Sequence, residues 1–210
     1  MTKTIQLLAI SGFAIMLTLV GANAEADAAG FMKLGDIKGE STQKGHEGWI
    51  VIDSLQCGID NTQKKNSGEK GGTADINIGV GELQECTISK SMDSASAQLA
   101  QFAINGNSPG QAEIEFVEVG GSDGRSETTY LKYKLDRVFI KSWSTSGDAD
   151  DRPTEEVAFY YNKIAFAYTP EGEPTPKPTN VMSWDNVKNT TWDVFFEPIR
   201  DLFLPPGKAK

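Results

Sequence analysis

From Gly48 onward apolar residues recur at every second position, the spacing that turns one face of a strand toward a core. Ile50 and Ile52 share one parity and Leu55, Cys57 and Ile59 take the other, so a long strand bends at a bulge near Asp53-Ser54. A loop rich in Gly, Lys and Asn, residues 60–72, leads to a second alternating run, Ile76, Ile78 and Val80, whose parity Cys86 and Ile88 continue. The two runs predict a long-armed hairpin. Helical spacing follows in Ala95, Leu99, Phe102 and Ala103, behind an Asp93-Ser94 cap and ahead of Gly106. Alternation then resumes at Ala112, Ile114 and Phe116, with Glu113 and Glu115 on the opposite, solvated side. Between Thr128 and Thr145, Leu131, Tyr133, Leu135 and Phe139 alternate with Lys132, Lys134 and Asp136, a half-buried strand with a wet face. In the last run Val157, Phe159 and Tyr161 give way to Ile164, Phe166 and Tyr168, so a bulge or barrel corner is expected near Asn162. Five or six long strands with one short flanking helix favour an all-β barrel of bulged antiparallel strands over a layered α/β fold.

The two ends follow different rules. Lys3 precedes an apolar run, Leu7 to Val20, that ends in Ala22-Asn23-Ala24, the layout of a cleavable secretory signal over residues 1–24. The run is shorter than the about 20 residues a membrane helix needs, so no stable span is expected after processing, and the chain reads as exported, periplasmic or extracellular. The barrel is assigned to residues 25–169 and a stiff Pro-rich linker to 170–180. In the remaining tail, 181–210, Trp192, Phe195, Phe196, Ile199, Leu202 and Phe203 recur at intervals of three and four around Pro198, so any helix starts near Glu197. With Trp184 they are too apolar to leave in water and are expected to pack on the barrel, a neighbouring subunit or another partner.

Composition narrows the partners. The formal charge is −9, and loss of Lys3 with the signal takes it to −10, which disfavours nucleic acid and anionic membranes. Cys57 and Cys86 are the only cysteines, both at apolar-parity positions. The simpler reading buries them as two small hydrophobes, and a disulfide is the alternative. The single histidine, His46, lies in a polar loop with no cysteine or second histidine near it, so no metal site is expected. The acidic run Asp148, Asp150, Asp151, Glu155 and Glu156 fits no complete calcium-loop template. No nucleophile with a base, no carboxylate pair in a recognisable setting and no phosphate loop stands out, so neither catalysis nor a cofactor is expected.

Several stretches resemble the Hcp family in order and spacing. Phe31 to Ser41, ending in Gly39-Glu40-Ser41, looks like its opening strand and turn, followed by Gly48-Trp49-Ile50. Tyr130-Leu131-Lys132-Tyr133 is similar to its central strand. Ser144-Thr145-Ser146-Gly147 with Arg152-Pro153-Thr154-Glu155-Glu156 resembles the loop into its final strand. The resemblance spans residues 31–169 and implies a compact barrel with one flanking helix, assembled as six-membered rings that stack into a tube of the type VI secretion machine. Spike and effector proteins are the partners it implies, and the quoted residues enter as structural signatures. The signal, the Pro-rich linker and the aromatic tail depart from the usual family barrel, and Gly35-Asp36 inverts its usual order. The expectation is therefore an exported, non-enzymatic, ring-forming subunit, with a secreted binding module or a conventional tube protein as alternatives.

Overall fold

The computed structural model describes residues 28–61, 81–120, 126–170 and 180–193. Within them the chain forms β1 (Ala28–Leu34), β2 (Ile50–Ile52), β3 (Ser54–Gln56), β4 (Ile59–Asp60), β5 (Glu82–Leu83) and β6 (Cys86–Ser91). Then come α1 (Ser96–Asn105), β7 (Gly110–Gly120), β8 (Ser126–Ser146), β9 (Thr154–Tyr160), β10 (Lys163–Tyr168) and β11 (Val181–Asp185). The expected signal, most of the linker, the tail residues Phe195, Phe196, Ile199, Leu202 and Phe203, and the strand residues Ile76, Ile78 and Val80 lie outside the described residues.

The parity switch at Asp53 is what closes the barrel. β2 and β3 are two halves of one strand, and between them the Asp53 N–H donates to the Ser89 carbonyl at 2.8 Å. The first half pairs with β1 and the second with β6, so the antiparallel order β2-β1-β7-β8-β9-β6-β3 returns on itself. The second parity switch turns a corner. β8 pairs with β10 along residues 131–136 and, on the same edge, with β9 along 139–146. The changeover falls at Tyr161-Asn162 on one side and at Arg137, whose φ is 55°, on the other.

Inside, Met32, Leu34, Ile50, Ile88, Ile114, Leu135, Val138, Val157 and Phe159 are buried, and Leu99 of α1 joins them. α1 ends as expected at Gly106, which takes φ 68° and donates its N–H to the Phe102 carbonyl. Its start comes later than the sequence implied, because Asp93 lies before the helix and caps the preceding turn, accepting from the Ala95 N–H at 2.9 Å.

Three readings change. The sheet does not stop at Tyr168: β11, inside the stretch read as tail, pairs with β10 from Lys163↔Asp185 to Ala167↔Val181. Trp184 packs against the main core, and Trp192, 5% exposed, covers Ala165 and Ala167. The face of β7 and β8 read as solvated is covered too, so that Glu115 and Lys132 are buried. Cys57 and Cys86 are joined in a disulfide rather than packed as separate thiols. They extend the β3–β6 ladder, in which Gln56 faces Thr87.

Candidate functional site

Two polar centres organise the barrel, and the resemblance residues of the two loops gather around the first. Lys90 continues the inward parity of Cys86 and Ile88, so the strand carries its ammonium into the core. Such a charge is tolerable only if fully bonded. Lys90 Nζ donates to Glu155 Oε2 at 3.0 Å, Asp93 Oδ1 at 2.7 Å, the Ser91 carbonyl at 2.8 Å and Ser96 Oγ at 3.3 Å. One side chain thereby ties β6, the start of α1 and β9 together.

Two loops close over this centre. In the first, the Gly39 N–H donates to the Gly48 carbonyl and the Ser41 N–H to the Trp49 carbonyl, making a narrow reverse turn. A Cβ on Gly39 would lie 2.3 Å from the Trp49 oxygen, so no larger residue fits. Glu40 leaves this turn toward α1, where Oε1 accepts from the Ser94 N–H at 3.0 Å and Oε2 lies 3.6 Å from Arg152. In the second, Ser144, Thr145 and Ser146 face Glu156, Glu155 and Thr154 across the β8–β9 hairpin. Gly147 packs where a Cβ would meet Pro153 at 2.9 Å. Pro153 accepts from the Met92 N–H at 2.8 Å, and Arg152 donates to the Met92 carbonyl at 3.4 Å. Glu40, Arg152 and Glu156 are exposed on the outside of the junction, while Glu155 is buried beneath it.

The second centre lies on the outer face of β1, β7, β8, β10 and β11. One row across it reads Phe31, Glu115, Lys132, Ala167 and Val181. The loop after β1 lays His46 on this row, stacked on Phe31 at 4.5 Å and edge-on to Trp49 at 4.8 Å. His46 Nε2 donates to Glu115 at 3.0 Å, Thr129 Oγ1 donates at 3.0 Å and Lys132 Nζ lies 2.7 Å from its other oxygen. Burial by itself would raise the Glu115 pKa, but the His46 hydrogen bond, the Lys132 charge and hydrogen bond, and the Thr129 hydroxyl together outweigh it and lower it to about 2. Glu115 is thus held ionised under cover.

The other sequence-selected residues are packed elsewhere. Tyr130 tilts against Phe116 at 6.4 Å, and its carbonyl accepts from the Thr169 N–H at 2.7 Å. Tyr133 packs on Phe166 at 5.4 Å, where burial pushes its hydroxyl pKa up. Among the described residues, no group of three His, Cys, Asp or Glu side chains is arranged to hold a metal. The carboxylates of both centres face cations and hydrogen-bond donors, an arrangement that fixes loops. Sequence reasoning missed Lys90, although its parity with Ile88 was the available signal. It also missed the His46–Glu115 contact, which spans 69 positions and has no local signature.

With this geometry in place, comparison with known proteins is specific. Residues 31–168 match the family model described as type VI secretion system effector, Hcp. The chain is 28% identical over 142 residues to the Hcp1 protein of Pseudomonas aeruginosa, covering 67% of this chain and 83% of that one. A solved type six secretion system protein is similar with TM-score 0.64 and 25% identity, over 79% of this chain and all of the other. Hcp1 from Salmonella typhimurium shares the fold at TM-score 0.58 and 19% identity, over 79% of this chain and 99% of that chain.

Proposed function

Because the chain belongs to the Hcp family of type VI secretion through residues 31–168, we propose that it is a structural subunit that self-associates into six-membered rings able to stack into tubes. The observation that carries this reading is the coincidence of that match with the closed barrel, from β1 through β10, and with the loop junction that shapes its surface. Residues that could have done chemistry, Glu115, Glu155 and Lys90, are spent on holding loops in place. An exported location is supported by the Cys57–Cys86 disulfide, since such bonds persist in oxidising compartments. Spike and effector proteins of a type VI machine are the partners that a tube role would bring.

The test is light scattering after size exclusion, with negative-stain imaging, of the processed protein. Rings are expected. A chain that stays strictly monomeric at high concentration ends the proposal. N-terminal sequencing of the native protein checks the export step, with a first residue near Glu25 expected and an intact Met1 contradicting it. The alternative of a binding module that uses the tail is separated by truncation, and the structure dictates where to cut. Removing residues from 171 onward would strip β11 and Trp192 from the sheet, whereas a stop after Asp193 spares both. If rings survive that stop while partner capture is lost, the binding reading is favoured.

A further inference from the structure

At the corner where β8 passes from β10 to β9, an open cleft of about 390 Å³ is lined by residues of β7, β8, β10, β11 and the turn that follows β11. One wall of it, Asp185, Val187 and Lys188, lies beyond residue 168, where the family match ends. The volume of the cleft falls in the range of small-molecule sites.

The charges in it are not balanced. Arg137, Lys163 and Lys188 line it together with Asp136 and Asp185, a local surplus of one positive charge in a chain whose formal charge is −9. Both acids are already occupied. Asp136 is bonded by Lys163 at 2.9 Å and by the Gln111 amide at 2.8 Å. Asp185 Oδ1 accepts the N–H groups of Val187 and Lys188, each at 3.0 Å, which sets the turn that carries Lys188. The same turn is pinned to the corner by the Asn186 N–H, which donates to the Asn162 carbonyl at 2.9 Å. Among the described residues, no carboxylate pairs with the Arg137 guanidinium or the Lys188 ammonium.

A second, independent observation concerns the backbone. Arg137 takes φ 55°, a left-handed conformation that Gly or Asn adopts at lower cost. A barrel corner needs that conformation but does not need a guanidinium. An arginine held there is a reason to ask what its side chain does. The guanidinium fork matches paired oxygens, as in a carboxylate or a phosphate.

We propose that this cleft binds a small ligand through an anionic carboxylate or phosphate group, held between Arg137 and Lys188. The test uses the full processed chain, titrated separately with citrate and with inorganic phosphate against sodium chloride at equal ionic strength, and followed by amide chemical shifts. Saturable shifts centred on Asn162, Val187 and Lys188 with one of the two anions are expected, and which anion saturates identifies the source. Arg137→Asn keeps the left-handed corner and should weaken that binding about tenfold or more, as should Lys188→Gln. Shifts that chloride reproduces, or the absence of saturation with either anion, would overturn the proposal. So would a folded Arg137→Asn variant that binds like the parent.

Discussion

Replacing both Cys57 and Cys86 with alanine removes the covalent staple from a narrow seam of the barrel. Only three residue pairs join β3 to β6, Ser54↔Ser89, Leu55↔Ile88 and Gln56↔Thr87, whereas six join β6 to β9. The disulfide sits at the next step of that short ladder and closes a segment with a sequence separation of 29. The chain-entropy relation for a loop of this size gives a stabilisation of about 3.6 kcal/mol at 25 °C. Against a typical domain stability of 5–15 kcal/mol, that is a large fraction. Urea unfolding of the oxidised parent, the reduced parent and the double-alanine variant measures it. The two uncrosslinked forms should lose about 3 kcal/mol each, agree with one another, and show a steeper denaturant dependence because their unfolded chains expose more surface. Amides of Leu55 and Ile88 should also exchange faster without the bond, since their strands can part locally. A loss below about 1 kcal/mol would refute the reasoning, because the ladder would then hold the seam unaided. Sensitivity of the double-alanine variant to reductant would refute it as well.

Three further outcomes are expected. Lys90→Met strands Glu155 and Asp93 as unpaired acids under the junction and should cost about 3–5 kcal/mol in urea or thermal unfolding, while adding Glu155→Leu should recover part of the loss. Glu115 has its folded pKa depressed from 4.5 to about 2, so its contribution is fully present above about pH 4.5 and is lost as pH falls toward 2. The urea midpoint of the parent should therefore decline across that window, by an amount worth about 3 kcal/mol if this group dominates, and Glu115→Gln should flatten the decline. Trp192→Ala uncovers Ala165 and Ala167 and removes the ring beneath Lys163, 5.2 Å from its ammonium, and should lower stability by about 3 kcal/mol in thermal unfolding while leaving the strand content unchanged.

What the sequence made legible, and what it hid, follows from the range of the interactions involved. The bends at Asp53 and near Asn162 were readable because a change of side-chain parity is a local event, visible in five or six consecutive residues. The burial of Glu115 was not, because the face it occupies is covered by the loop carrying His46, 69 positions away. β11 escaped for another reason: Val181, Met182, Ser183 and Trp184 are all half-buried, so no alternation betrays a strand. The cysteines lie between these cases. Their parity announced burial, but their bond depends on how β3 and β6 meet, which parity along one strand cannot express. The junction residues Gly39, Glu40, Arg152 and Pro153 were recognisable only as a pattern, and Lys90 beneath them supplies the physical reason that pattern holds together.

β8 has a mechanical consequence. Its 21 residues bond to β7, β9 and β10, so one covalent segment runs the length of both half-sheets while β9 and β10 relay each other along its edge. A push applied along that strand is carried by its backbone and shared with three neighbours through hydrogen-bond ladders loaded in shear, where many bonds resist together. A force across it meets the three-pair seams β1–β2 and β3–β6 instead, where bonds yield in turn and the disulfide backs the second. The filled barrel is thus stiff along β8 and, at the β3–β6 seam, covalently restrained across it.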